Sequence, residues 1–296
     1  MTDLVSTAFV QPIAPTYYQS GLFTDRRPAR PIIKWAGGKS RLLKQFDAFF
    51  PAPASYERYF EPFLGGAAIF FQLQPPDSYL FDLNSDLIEL YTMVRDQVEG
   101  VIDALAIHHN ERSYFNAIRA QDTAALSSLE RAARFIFLNR TCYNGLYRVN
   151  SKGQFNVPFG RYTKPPICNA ETLRAASKAL RTVHLSVSDF EASVAHCQHG
   201  DFIYFDPPYA PLSATSSFIS YTKQGFDADD QRRLADLYRE LDRRGCLLML
   251  SNSSAPLVYE LYAGFALHEI EARRAINSRG NGRGTVTELL VTNFTR

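Results

Sequence analysis

The chain's 296 residues allow one large α/β domain or a domain with an insertion, and 46% apolar with 21% charged residues suits a globular protein with a substantial core. No run of roughly 18 residues is free of charge and polarity, which argues against a membrane span, and residues 1–30, rich in Thr, Pro, Gln and Tyr, lack a signal peptide's apolar stretch and read as a loosely ordered tail. Cys142, Cys168, Cys197 and Cys246 are scattered with no C-x-x-C pair, so neither a disulfide framework nor a zinc site is expected and a reducing cytoplasm fits.

In chain order, the short segment Ile32–Trp35 leads into Gly37-Gly38. Leu42, Leu43, Phe46, Phe49 and Phe50 then recur at helical spacing, predicting a helix over Ser40–Phe49. Tyr56–Phe60 reads as a strand, followed by Glu61-Pro62-Phe63-Leu64-Gly65-Gly66 and a helix over Ala67–Leu73. A second strand, Ser78–Phe81, ends in Asp82. Residues 84–137 read as mainly helical, from Ser85–Val98 through Phe135–Leu138. Residues 139–165 change to Asn, Gly, Tyr and Arg, predicting a hairpin with strands near Leu146–Val149 and Gln154–Val157 and a turn at Asn150–Gly153. A helix (Ala170–Leu180), a strand (Thr182–Val187), the strand Phe202–Phe205, a helix (Asp229–Arg243) and a strand (Cys246–Ser251) follow. A terminal strand pair lies near Ala266–Glu271 and Thr285–Asn293. Strands alternating with helices on both sides of residues 84–165 indicate an α/β sheet with an inserted helical and hairpin segment.

Two glycine motifs exclude familiar readings. Gly37-Gly38-Lys39-Ser40 looks like the end of a P-loop, but position 33, where that motif needs glycine, is Ile. Gly65-Gly66-Ala67 is not G-x-G-x-x-G, so a dinucleotide fold is not licensed. Glycine between a strand and a helix still lets a ligand approach the backbone closely. Asp82, 21 residues beyond Glu61 at the next strand's end, sits where a ribose-binding carboxylate belongs. The ligand implied is a nucleoside without a pyrophosphate.

The net charge of +2 is unevenly spread. From Arg131 to Ala170 there is no acid but there are seven basic residues: Arg131, Arg134, Arg140, Arg148, Lys152, Arg161 and Lys164. Ala272–Gly284 is also acid-free and carries Arg273, Arg274, Arg279 and Arg283. Two such patches, interleaved with Tyr, Asn and Phe, favour a nucleic-acid partner over ordinary solvated charge.

Asp206-Pro207-Pro208-Tyr209 directly follows Phe202–Phe205. A strand ending in an acid, two prolines and an aromatic makes a rigid ledge. The carboxylate and a proline carbonyl can accept from an amino group while the ring stacks on a flat heterocycle, as alkylation of a flipped base's exocyclic amine requires.

Together, Lys34-Trp35-Ala36-Gly37-Gly38-Lys39, Phe60–Gly66, Asp82–Leu87, Asn144–Asn150, Phe155–Pro158 with Gly160-Arg161-Tyr162, and Asp206–Tyr209 resemble the Dam family of DNA adenine-N6 methyltransferases, in the order of its alpha class. The likeness is closest to the GATC-methylating enzymes of restriction–modification systems and leaves residues 1–30 outside. It implies an S-adenosylmethionine-dependent methyltransferase sheet with helices on both faces and an inserted target-recognition domain. The catalytic domain would comprise 31–83 and 166–296, the recognition domain 84–165, with its hairpin at 139–162. The cofactor would be S-adenosylmethionine and the partner double-stranded DNA, with single-stranded DNA also possible; no metal, membrane or obligate protein partner is implied.

By this resemblance Trp35, Lys39, Asp82 and Asp206 contact the cofactor, with the Gly37-Gly38 backbone and the Phe63–Gly66 backbone, including Gly65, nearby. Lys39 would pair with a carboxylate, Asp82 would accept from ribose hydroxyls, and Trp35 would pack near the methionine part. Asp189-Phe190 could cover the cofactor's adenine, although a helix N-cap is an equal reading of Asp189. Asp206, Pro207 and Tyr209 would hold the flipped adenine for direct transfer. Lys34 and Arg148 would read the guanines of GATC, Leu146 and Pro158 the thymine methyl, and Tyr143 would fill the stack beside the vacated base. Asn144, Arg140 and Arg161 read as phosphate contacts or hairpin-structure residues. A cytosine-N4 enzyme more often has Ser, and an RNA adenine enzyme usually Asn, in place of Asp206. A DNA-binding protein without catalysis has no use for Lys39, Asp82, Asp206 and Tyr209 together.

Overall fold

Phe202–Phe205 is apolar at every position, the pattern of a parallel strand covered on both faces. The computed structural model, which describes residues 29–212, 226–273 and 285–295, places this strand at the centre of a seven-stranded sheet. Most of the expected N-terminal tail, and Arg274, Arg279 and Arg283 of the second basic stretch, lie outside the described residues.

The strands are β1 (Arg58–Glu61), β2 (Asp77–Asp82), β3 (His184–Val187), β4 (Phe202–Phe205), β5 (Leu247–Ser253), β6 (Ala266–Arg273) and β7 (Thr285–Thr292), in the spatial order β3-β2-β1-β4-β5-β7-β6. The first five in that order pair in parallel, with Tyr59 beside Phe202 and Phe202 beside Leu247. β7 inserts antiparallel between β5 and β6.

Alternation along the strands divides the core in two. Phe202, Tyr204, Met249 and Leu290 face one side. There they meet α1 (Leu43–Phe46), α2 (Ala68–Leu73), α3 (Ser85–Asp96), α6 (Ser128–Thr141) and α7 (Ala170–Leu180). Ile203, Phe205, Leu248, Leu250, Leu289 and Val291 face the other side. That face is covered by α8 (Phe190–Ser193), α9 (Ala228–Arg243) and α10 (Pro256–Leu261). Helices α4 (Val98–Ala106) and α5 (Arg112–Ala120) pack on α6, which extends the first core cluster outward from the sheet.

Side-chain caps set several helix starts. Asn84 accepts from the backbone N–H of Asp86 and Leu87 before α3, and Ser127 and Glu130 form a capping box for α6. Each such cap stabilises its helix by about 1 kcal/mol. Two sequence expectations change. The helix expected over Ser40–Phe49 is a 3₁₀ turn, Lys39–Arg41, followed by the single turn α1. The expected hairpin strands are reduced to isolated antiparallel bridges, Val149–Phe155 and Cys142–Phe159. Pro158 has no N–H for a ladder, and Asn144 enters the left-handed region at φ 56°, which interrupts extended backbone. The Asn150–Gly153 turn does form, with the Gly153 N–H donating to the Asn150 carbonyl at 3.0 Å.

Candidate active site

The strand order reverses between β1 and β4, and in an open parallel sheet ligands bind outside the carboxyl ends at such a switch point. Glu61 closes β1, Asp82 closes β2, Asp206 follows β4, and Asp189 lies two residues past β3.

Asp206 meets Lys39, whose Nζ lies 2.6 Å from Asp206 Oδ1 with a side chain only 3% exposed. A tight turn, with Gly37 at φ 77° and the Gly38 N–H donating to the Trp35 carbonyl at 3.1 Å, directs Lys39 inward. The same ammonium donates to the Gly37 carbonyl at 2.6 Å and stands 4.7 Å from the ring centroid of Tyr209. Tyr209 Oη donates to Glu288 Oε2 of β7 at 2.6 Å. Burial lifts the Asp206 carboxyl to about 6, with the Lys39 charge opposing the rise and Glu288 adding to it. Pro207 is buried and Pro208 exposed.

The ledge backbone is clamped from behind by a buried amide pair. Gln231 Nε2 of α9 donates to the Pro208 carbonyl at 2.8 Å, and Asn252 Nδ2 of β5 donates to Gln231 Oε1 at 2.9 Å. Asn252 Oδ1 accepts the Ala210 N–H at 2.9 Å, and Ser253 Oγ donates to the Ala210 carbonyl at 2.6 Å.

On the β1–β2 side, Asp82 Oδ2 accepts the Gly65 N–H at 3.0 Å and Oδ1 accepts the Asn84 N–H at 2.9 Å. A carboxylate offers about four lone-pair directions, so acceptor capacity remains. Gly65 has φ 46°, and a Cβ there would stand 2.6 Å from Trp35 Nε1, so glycine is required where the indole lies on the loop. Trp35 is stacked with Tyr147 at 6.0 Å and 22°, and Tyr147 in turn on Phe135 at 4.5 Å. Phe63 stacks on buried Phe190 at 5.6 Å, and Phe226 meets Phe63 edge-on at 5.8 Å. Asp189 caps α8, accepting the Glu191 N–H at 3.0 Å. Glu61 is 2% exposed and accepts from Tyr59 Oη at 2.8 Å; its desolvation pushes the carboxyl up to about 8.

Lys34 joins the N-terminal segment to the hairpin. Asn139 Oδ1 accepts the Lys34 N–H at 2.8 Å, and Asn139 Nδ2 donates to the carbonyls of Lys34 at 2.8 Å and Gly145 at 3.0 Å. The Lys34 ammonium stands 4.4 Å from the Tyr162 ring centroid. Tyr143 is 49% exposed beside Asn144, and the Tyr143 N–H donates to the Pro158 carbonyl at 2.8 Å. Arg148 Nε donates to Asn156 Oδ1 at 2.7 Å from the exposed side of the bridge, while Leu146 is half-buried against the core. Arg161, at φ 56°, is exposed.

Residues 35–276 match the family described as D12 class N6 adenine-specific DNA methyltransferase. The chain belongs to this family. The methyltransferase is 45% identical over 273 residues to a type II methyltransferase of Lactococcus lactis subsp. cremoris, covering 90% of this chain and 95% of that one. It is 41% identical over 286 residues to a type II methyltransferase of Methanocaldococcus jannaschii, covering 90% of this chain and 99% of that protein. To the DNA adenine methylase of Escherichia coli it is 36% identical over 265 residues, covering 88% and 94% respectively. The seven-stranded α/β fold is that of a methyltransferase, and the reaction is methylation of adenine N6 in DNA. No described helix is long and apolar enough to cross a membrane.

The methyltransferase uses its first basic stretch in two ways. Arg131 pairs with Glu89 at 2.6 Å, Arg134 donates to the carbonyls of Ile118 and Arg119 at 2.9 Å, and Arg140 donates to the Ile32 carbonyl at 2.5 Å. Those three guanidinium groups serve packing. Arg148, Lys152, Arg161 and Lys164 are exposed on and beside the hairpin. Glu288, Asn252, Gln231 and Asn139 carry no local signal in the sequence, because each is an ordinary polar residue within a helix or strand pattern. Only the tertiary pairing brings them to the site.

Proposed function

We propose that this adenine methyltransferase takes its methyl group from S-adenosylmethionine and modifies the adenine of GATC in duplex DNA after flipping that base from the stack. The observation that carries this reading is the meeting of Lys39, Asp206 and Tyr209 at the switch point of the sheet. When bound, S-adenosylmethionine supplies an electrophilic methyl group on a sulfonium. The residues present fit it: Asp82 keeps acceptor capacity for ribose hydroxyls, and Lys39 has a third N–H beyond those on Asp206 and Gly37. Trp35, Gly37, Gly38, Phe63 and Gly65 would hold its methionine part, and Phe190 with Asp189 its adenine.

In this reading the Asp206 carboxylate and the Pro207 carbonyl accept hydrogen bonds from the two N–H groups of the target amine, which gives up one proton to solvent once it is methylated. The two bonds pyramidalise a nitrogen whose lone pair is otherwise delocalised into the ring, and aim it for attack. Lys39 covers one face of the Tyr209 ring and the base stacks on the other, a contact of roughly 1–3 kcal/mol. Catalysis is by positioning and electrostatics, with no covalent enzyme intermediate. Lys34 and Arg148 read guanines, Leu146 and Pro158 read the thymine methyl, Tyr143 fills the gap in the stack, and Asn144 and Arg161 support the hairpin against phosphates. Residues 31–83 and 166–296 make the catalytic domain and 84–165 the recognition domain. The enzyme works in the cytoplasm, where unpaired thiols such as Cys142, pushed up to about 11 by burial, stay inert.

Methyl transfer from labelled S-adenosylmethionine to duplexes carrying one GATC or a scrambled site, followed by nucleoside analysis, tests this reading. N6-methyladenine in the GATC duplex alone is the expected result. Equal labelling of both duplexes overturns the specificity, and no labelling of either overturns the cofactor and target assignment.

A further inference from the structure

Glu288 sits on β7, opposite Ser253 of β5 and Ile270 of β6, and reaches the site from the antiparallel end of the sheet. Its Oε2 accepts from Tyr209 Oη at 2.6 Å, the short distance of a charge-assisted hydrogen bond. Lys39 Nζ lies 4.7 Å from the centroid of that same ring and 2.6 Å from Asp206 Oδ1. Tyr209 is therefore held at its hydroxyl by an anion and over its face by a cation. A tyrosine ring turns freely about its side-chain bonds unless its hydroxyl or its faces are engaged. Backbone clamping through Gln231, Asn252 and Ser253 fixes where Tyr209 starts, not where its ring ends.

We infer that Glu288 is a positioning residue for methyl transfer: it holds Tyr209 by the hydroxyl so that the ring stands as a preset stacking surface beside Asp206. The inference rests on the reading in which Asp206 and Tyr209 hold the target base. A stacking surface ordered in advance spares the complex the entropy of ordering it on binding. Glu288 has a second effect, because its negative charge disfavours the Asp206 carboxylate. The charged groups acting on Asp206 are Lys39 from the turn before α1 and Glu288 from β7, while Asp206 in turn raises Glu61 of β1 and Tyr204 and Tyr209 of β4 and its loop. At Asp206, Lys39 opposes the rise and Glu288 reinforces it.

A double-mutant cycle on the full chain, with kcat, KM for a duplex substrate and the S-adenosylmethionine dissociation constant, tests the inference. Loss of a hydrogen bond to a charged group predicts a fall of about 10- to 100-fold in kcat/KM for DNA in Glu288→Ala, with cofactor affinity unchanged. Tyr209→Phe should show a similar loss, and adding Glu288→Ala to it should cost nothing more. Glu288→Gln, whose amide oxygen still accepts, should recover most of the rate at pH 8 and move the acid limb of kcat/KM below about 6. Multiplying losses in the double variant overturn the inference, as does Glu288→Gln being as impaired as Glu288→Ala with an unmoved limb. Thermal melts identify any variant whose loss is only unfolding, and Glu288→Gln then decides. Full activity in Asp206→Ala or Tyr209→Ala would instead remove the underlying site reading, whatever the Glu288 variants do.

Discussion

Lys39 and Asp206 are a 2.6 Å ion pair drawn from two distant segments, the turn before α1 and the end of β4, with an ammonium only 3% exposed. The pair keeps Asp206 ionisable near neutrality. Without the nearby cation, burial would drive its carboxyl higher than about 6. The ionised form is the one that accepts from an amine, so kcat/KM should rise about tenfold per pH unit below about 6 and flatten above it. Lys39→Met should shift that limb upward. A pH–rate profile of both proteins checks this, and a limb that stays put in the variant contradicts the role given to Lys39.

Glu61 carries a different pH signature. Its carboxyl is raised to about 8 in the fold, chiefly by desolvation, against an ordinary value of 4.5. Between those values the folded protein binds the extra proton, so this group's contribution to stability falls as pH rises from about 4.5 to 8. Glu61→Gln removes that loss while its amide oxygen still accepts from Tyr59. Thermal denaturation should show the variant more stable than the parent at pH 9 and close to it at pH 5.

Asp189 separates capping from ligand binding. Asn caps a helix as well as Asp does, so Asp189→Asn should leave the melting temperature within about 2 °C. If Asp189 accepts from the cofactor's adenine, the same change should weaken S-adenosylmethionine binding about tenfold by calorimetry. Unchanged affinity would leave Asp189 a cap alone.

The basic residues of the hairpin region should part into groups. Arg148→Ala should cost about 1–3 kcal/mol of discrimination at one guanine of the target. Lys152→Ala should weaken binding to every sequence and flatten the salt dependence. Arg140→Ala should lower the melting temperature instead, because its guanidinium holds the Ile32 carbonyl. Binding isotherms at several salt concentrations, with melts of the same proteins, check all three.

Much of this architecture is legible in the chain itself. Phe202–Phe205, the glycines at 37 and 65, and the carboxylates at strand ends are local patterns with local physical meanings: Glu61 and Asp206 end the two strands that flank the switch point, and Asp82 ends the strand beside them. The hairpin is legible only as a turn, since Pro158 and the left-handed Asn144 break its ladder. Composition could not tell Arg131, Arg134 and Arg140, which are tied to Glu89 and to backbone carbonyls, from the exposed Arg148 and Lys152. Glu288 and Asn252 were invisible because their part depends on β7 entering beside β5, a pairing that no local signal encodes.

Asp206→Ala is the decisive variant for the chemistry of the ledge. Single-turnover methyl transfer to a duplex target, measured with melting temperature and S-adenosylmethionine binding on the same preparation, should show turnover abolished in a protein that remains folded. Transfer at the parent rate in that variant would contradict the placement of the reaction at the Asp206 ledge.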